Sequence, residues 1–218
     1  PDDFSLDFAT KALFRGALMA ETTVGVPLVL PFLGDRVYLQ GTTLFDALAP
    51  LAPPGSPVSL NINRMIYSDT IRIETMSGGE TAERFSATFT VGKGDDAVRW
   101  GIDALEASPD IERVAFDEES LLTACDFSAD GAATLPRCGS STFMQSAVSM
   151  MKRLIVLNGA GGSGSKWIFV RTDLKEIPFE LEPLTITLKS IAQNRIARSS
   201  VVIGDKPMGF IFFTLFKE

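Results

Sequence analysis

The 218-residue chain contains no histidine. This removes both the commonest general base and the commonest metal ligand, so acid–base chemistry must come from carboxyl, thiol, phenol or amide groups. Cysteine is almost as scarce. Cys125 and Cys138 are too few for a disulfide framework, and two free thiols are expected. Apolar runs are broken by Gly, Pro or charge before they reach the roughly 20 residues that span a bilayer. No secretory leader is legible, so a cytoplasmic protein without a membrane span is expected. Positive charge is short as well: 20 Lys and Arg stand against 27 Asp and Glu, a net charge of −7. A broad nucleic-acid surface is therefore not expected. The imbalance is local. Residues 1–110 hold 8 basic and 15 acidic side chains, and residues 111–218 hold 12 of each.

What is abundant is apolar. A hydrophobic content of 45% suffices for a buried core, and the length allows one large domain or two small ones. One stretch, "RLIVLNGAGGSGSKW" (Arg153 to Trp167), has the look of a phosphate-binding loop. Gly159 and Gly164 have the P-loop spacing, but Ser165 follows and Lys166 comes one place late. Trp167 then stands near where Ser or Thr would hold Mg²⁺. The flanks are also reversed. Phe143, Ala147, Met151 and Ile155 recur every fourth residue, which predicts a buried helix over Ser140 to Asn158, capped by Ser140 or Ser141. Asn158-Gly159 supplies its stop. "KWIFVRTDL" reads as extended chain. A P-loop phosphotransferase is thus a minor alternative, and the glycines read as a link from helix to sheet.

Period-two alternation dominates elsewhere. "PLTITLKSI" and "ARSSVVIGDKPMGFIFFTLF" predict strands with a hairpin at Gly204-Asp205. "DTIRIETMS" and "RFSATFTVGKGDDAVRWGIDAL" predict another meander that turns at Gly94-Asp95. The two turns lie 110 residues apart, and at that offset Val98 meets Met208, Trp100 meets Phe210 and Ile102 meets Phe212. Each meander follows an apolar helical segment. The expectation is α+β, with one helix-plus-meander unit over residues 1–110 and a second over 111–218.

A long apolar helix followed by an antiparallel meander that can wrap it resembles the hotdog fold, and two in one chain resemble a double hotdog. The family includes β-hydroxyacyl-thioester dehydratases, polyketide synthase dehydratase domains and many acyl-thioesterases. The resemblance spans residues 30–218 and rests on element order. Its clearest local echo is "GDRVYLQGTTLFDALAPLA", similar to a dehydratase D-H-x-V-x-G arrangement through Asp35, Val37, Gly41 and Leu44. Arg36 holds the catalytic histidine's place. In "RCGSSTFMQSAV", Ser, Thr and Gln stand where the family has an acid. The resemblance implies an acyl thioester of coenzyme A or phosphopantetheine as ligand, an acyl carrier protein as partner, a homodimer, and no permanently bound cofactor or metal. If active, the chain would be a hydro-lyase or thioesterase with a non-standard or degenerate site. A lipid-binding or assembly subunit is the alternative.

The residues for such chemistry are few. Asp126, with Asp130 nearby, lies before the second helix and is a candidate acid or base; a turn carboxylate is the plainer reading. Cys138 sits between Arg137 and Gly139 near the predicted helix start, where a thiol pKa falls. Ser141 and Gln145 are candidates to bond a thioester carbonyl, with helix capping as the plainer role. Tyr67 offers a hydroxyl, or is an ordinary strand residue. Arg36 offers a permanent cation for an anionic acyl group, or a surface pair with Asp35. Lys166 and Arg171, with Lys152, Arg153, Arg195 and Arg198, are candidates for coenzyme A phosphates or an acidic carrier surface, or a solvated scatter of charge. Ser59, Asn61 and Asn63 line one strand face without an assigned role.

Overall fold

The computed structural model describes residues 24–160, 165–179 and 181–217. Along the chain run β1 (Pro27–Val29), β2 (Phe32–Leu33), α1 (Gly41–Leu48), β3 (Val58–Ile62), β4 (Thr70–Thr75), β5 (Ala87–Val91) and β6 (Val98–Ala104). There follow β7 (Arg113–Val114), α2 (Glu118–Thr123), β8 (Asp126–Phe127), β9 (Ala132–Leu135), α3 (Phe143–Leu157), β10 (Ser165–Leu174), β11 (Leu184–Ala192), β12 (Ile196–Ile203) and β13 (Lys206–Lys217).

Eleven strands form one antiparallel sheet in the order β1-β4-β6-β5-β3-β10-β13-β12-β11-β9-β8. The order divides with the chain. Five strands from residues 27–104 fill one end, and six from 126–217 fill the other. They meet where β3 pairs with β10, Asn61 opposite Arg171 and Val58 opposite Leu174. The parallel pair β2–β7 joins Phe32 to Arg113 and Leu33 to Val114.

The helix expected over Ser140 to Asn158 forms as α3. Its cap is Thr142 rather than Ser140 or Ser141. Thr142 and Gln145 form a reciprocal capping box, which satisfies two otherwise orphaned backbone N–H groups. Ser141 instead closes a turn, its N–H donating to the Cys138 carbonyl. Met144, Ala147, Met150, Met151, Leu154 and Ile155 are essentially buried. Each large side chain among them contributes about 1.5–3 kcal/mol through removal from water. The helix packs on β9, β11 and β12 and against α1. Gly159 follows with a positive φ, and β10 follows that. Helix-then-strand is the reverse of P-loop order; residues 161–164 lie outside the described residues.

The 110-residue repeat holds in chain order but not in space. In the second half β11, β12 and β13 are successive neighbours. In the first half β6 lies between β4 and β5. Both neighbours are antiparallel to β6, so β4 and β5 run the same way. The link over residues 76–86 must therefore return along β6. Met76 N donates to Arg99 O and Ser86 N to Ile102 O. Phe85 is 1% exposed and lies against Gly101. A Cβ there would come within 2.3 Å of the Phe85 ring, so only glycine admits the ring.

Candidate active site

Helix α1 carries one charge in "GTTLFDAL", at Asp46. Thr42, Leu44, Phe45, Ala47 and Leu48 are buried, which places the half-buried Asp46 on the side facing α3. Thr142 Oγ1 donates to Asp46 Oδ2 at 2.8 Å. The same hydroxyl oxygen accepts from Gln145 N at 3.2 Å, and Thr142 N donates to Gln145 Oε1 at 3.0 Å. A chain of bonds therefore runs from the first helix into the start of the second. Burial pushes the Asp46 carboxyl up to about 7, against the smaller opposing pull of the Thr142 hydroxyl.

Asp69 shows that burial alone does not decide this. It is 0% exposed, and burial again pushes upward. Bonds from Ser108 and Thr70 outweigh it and hold the carboxyl below its ordinary value. Ser108 N donates to Asp69 Oδ1 at 2.8 Å and Thr70 Oγ1 at 3.1 Å. Among the described residues Asp46 has a single donor, so its charged form is poorly compensated.

A small cavity opens beside the start of α1, at the seam between β3 and β10. Its walls include Tyr38, Leu44, Ile62, Ile66, Ile168 and Phe169, and its volume is about 20 Å³. That accommodates a water, not an acyl chain. Gly41 also lines it. A Cβ at Gly41 would meet Ile62 Cδ1 and Phe169 Cδ1 at 2.5 Å, so glycine lets α1 begin flush against the seam.

The residues singled out from the sequence are dispersed. Asp126 is exposed on β8. Tyr67 is 62% exposed. Cys138 is buried, and its Sγ donates to Leu181 O at 3.3 Å. Cys125 and Cys138 are not joined in a disulfide. Burial, then the neighbouring Cys138 and Asp126, push the Cys125 thiol up to about 11. Ser141 and Gln145 belong to the turn and cap that lead into α3. Arg36 pairs with Glu118 at 3.7 Å rather than with Asp35, and Glu118 also takes Lys152 at 3.1 Å. Lys166 and Arg171 lie on β10, with Arg171 paired to Asp173 at 2.8 Å. None of these lines the cavity. Asp46 is the residue that the sequence argument missed. Its signal was a lone carboxyl inside an apolar helical segment.

No helix among the described residues is long and apolar enough to cross a membrane. Among the described residues no group of three or more metal-ligating side chains gathers. No family model matches the chain, and no curated protein matches it. Solved structures do. The dehydratase domain of the polyketide PpsC from Mycobacterium tuberculosis superposes with a TM-score of 0.50 at 10% identity, covering 84% of this chain and 86% of that one. The same domain in complex with C12:1-CoA gives 0.49 at 11%, covering 88% and 98%. The tesB protein MAP1729c of Mycobacterium avium subs paratuberculosis gives 0.42 at 14%, covering 94% and 97%. The chain thus has a hotdog fold resembling that of polyketide synthase dehydratase domains. The likeness extends to fold only.

Proposed function

We propose that the chain is a double hotdog, with units dividing near residues 110 and 111, that handles an acyl thioester of coenzyme A or phosphopantetheine at the junction of its two helices. The observation that carries this reading is Asp46, held near 7 against the N-terminus of α3. A carboxyl titrating there works both ways at neutral pH. It accepts a proton from an acyl α-carbon or a water, and it donates one to a departing hydroxide. The cap takes the Gln145 N–H, but those of Phe143 and Met144 have no intrahelical acceptor, and such groups stabilise a thioester oxygen as it gains charge. Asp46 thereby supplies the acid–base group that Arg36, a permanent cation, cannot. Cys138, Ser141 and Gln145 lead into this helix start, and Asp126 and Tyr67 are assigned no step. Arg36, Lys166 and Arg171 remain candidates for ligand phosphates.

A second reading is favoured by the size of the cavity, which holds no acyl chain: a subunit that binds an acyl group on its surface, or a partner, without turning it over. One experiment separates the two. Crotonyl-CoA is titrated calorimetrically at pH 7, with Mg-ATP as the control, and its hydration is then followed by loss of enone absorbance. Turnover that fails in Asp46→Asn while binding persists supports the enzyme. Binding without turnover in the unmodified chain supports the second reading. Preference for Mg-ATP, lost in Lys166→Ala, would overturn both.

A further inference from the structure

The outer faces of the two sheet halves differ. In the first half the 76–86 link lies on β6, with Phe85 sealed against Gly101. In the second half β12 alternates Ala197, Ser199 and Val201 inward with Arg198 and Ser200 outward. On β13, Ile211 and Phe213 are buried, while Phe210 and Phe212 are only half-buried and Phe216 is 43% exposed. A ridge of three phenylalanines therefore runs along β13.

Cations flank the ridge. Arg198 pairs in register with Phe212, which pairs in register with Arg171 on the other side. The Arg198 guanidinium stacks 3.7 Å from the Phe210 centroid and 5.9 Å from that of Phe212, while Arg171 lies 5.3 Å from Phe212. Lys166 is exposed and stands opposite Phe216. Asp173, bound to Arg171, is the acid on these strands' outer face. Arg198 makes no ion pair among the described residues.

We propose that this face docks an acidic amphipathic helix of a partner protein, with its apolar edge on the phenylalanine ridge and its carboxylates on Arg198 and Arg171. The dimensions match. The two arginines are separated by two strand intervals, about 10 Å, and a helix with its side chains is about 10–12 Å across. Stacking fixes the Arg198 plane and leaves its N–H edge available for a carboxylate. The acidic surplus of the chain resides in residues 1–110, so this end does not repel an acidic partner. The acyl-thioester reading shares Arg171 with this face but not Arg198, so a change at Arg198 separates the two.

The test uses a fluorescein-labelled 18-residue helical peptide with a leucine ridge flanked by two rows of glutamate, and fluorescence anisotropy as the readout. A lysine version, an oligothymidylate and phosphatidylserine vesicles serve as competing occupants. The glutamate peptide is expected to bind and the lysine peptide not. Arg198→Glu should weaken binding about tenfold or more with only a small fall in Tm from the lost ring stacking, and Asp173→Asn should strengthen it. Crotonyl-CoA binding should be unaffected by Arg198→Glu. Equal binding by Arg198→Glu, no binding by the unmodified chain, or tighter binding of oligothymidylate or vesicles that Arg198→Glu abolishes would overturn the proposal. So would concentration-dependent dimerisation through this face.

Discussion

On either side of the β3–β10 seam, the sheet uses the same parts in different orders. The second half lays β11, β12 and β13 side by side, joined by short turns, so that no link among them recrosses a strand. The first half places β6 between β4 and β5 and must run an eleven-residue link back over it. That link seals a phenylalanine outside the main core. The lesson is that an outer sheet face becomes either core or interface according to one connection. Where the chain recrosses, Phe85 is buried; where it does not, Phe210 and Phe212 are left to guanidinium groups and solvent.

The largest expected effect tests this contrast directly. Phe85→Ala should cost about 3–5 kcal/mol in urea unfolding, as removal of a buried aromatic does. Phe212→Ala, in the half without a recrossing link, should cost about 1 kcal/mol. Equal losses would break the comparison.

Next is the pH dependence at Asp46. Its folded value, about 7, lies above its ordinary 3.8. The folded state therefore keeps a proton that the unfolded state has released across that interval. Stability should fall as pH rises through it and level off above about 7. Relative to Asp46→Asn, the unmodified chain should lose on the order of 2–4 kcal/mol across the interval. Urea midpoints at a series of pH values measure this. A flat difference would show that the seam between the halves holds no neutral carboxyl.

Gly101→Ala should cost about 1–3 kcal/mol by overpacking against Phe85. In Phe85→Ala the same glycine replacement should cost much less, because its clash is gone. The smallest effect lies at the charged tie between loop, α2 and α3. Glu118→Ala removes the partner of both Arg36 and Lys152, yet these partly exposed pairs should be worth about 1 kcal/mol or less. Thermal unfolding at low and high salt would show the difference shrinking with salt.

Much of the architecture was legible in the sequence because two periodicities carry it. The fourfold stripe of Phe143, Ala147, Met151 and Ile155 is the buried face of α3, and the alternation in "ARSSVVIG" is the inward and outward pattern of β12. The strand exchange was not legible. Alternation reports which face a residue takes, not which neighbour its strand chooses. Gly101 and Phe85, whose contact accompanies the exchange, are sixteen residues apart and share no motif. The site was less legible still. Attention to the missing histidine led to Arg36, which is engaged by Glu118. Asp46 and Thr142 are 96 residues apart and carry no joint signal. The helix was legible, but its start lies a residue or two later than expected, with Thr142 as the cap, because only Thr142 has Gln145 three residues on.

The most direct test of the account is the titration of Asp46 by carboxyl ¹³C NMR, assigned by its loss in Asp46→Asn, with and without crotonyl-CoA. The expected result is a midpoint near 7 that shifts when the thioester is added. A midpoint near the ordinary value of 3.8, unmoved by the thioester, would contradict it.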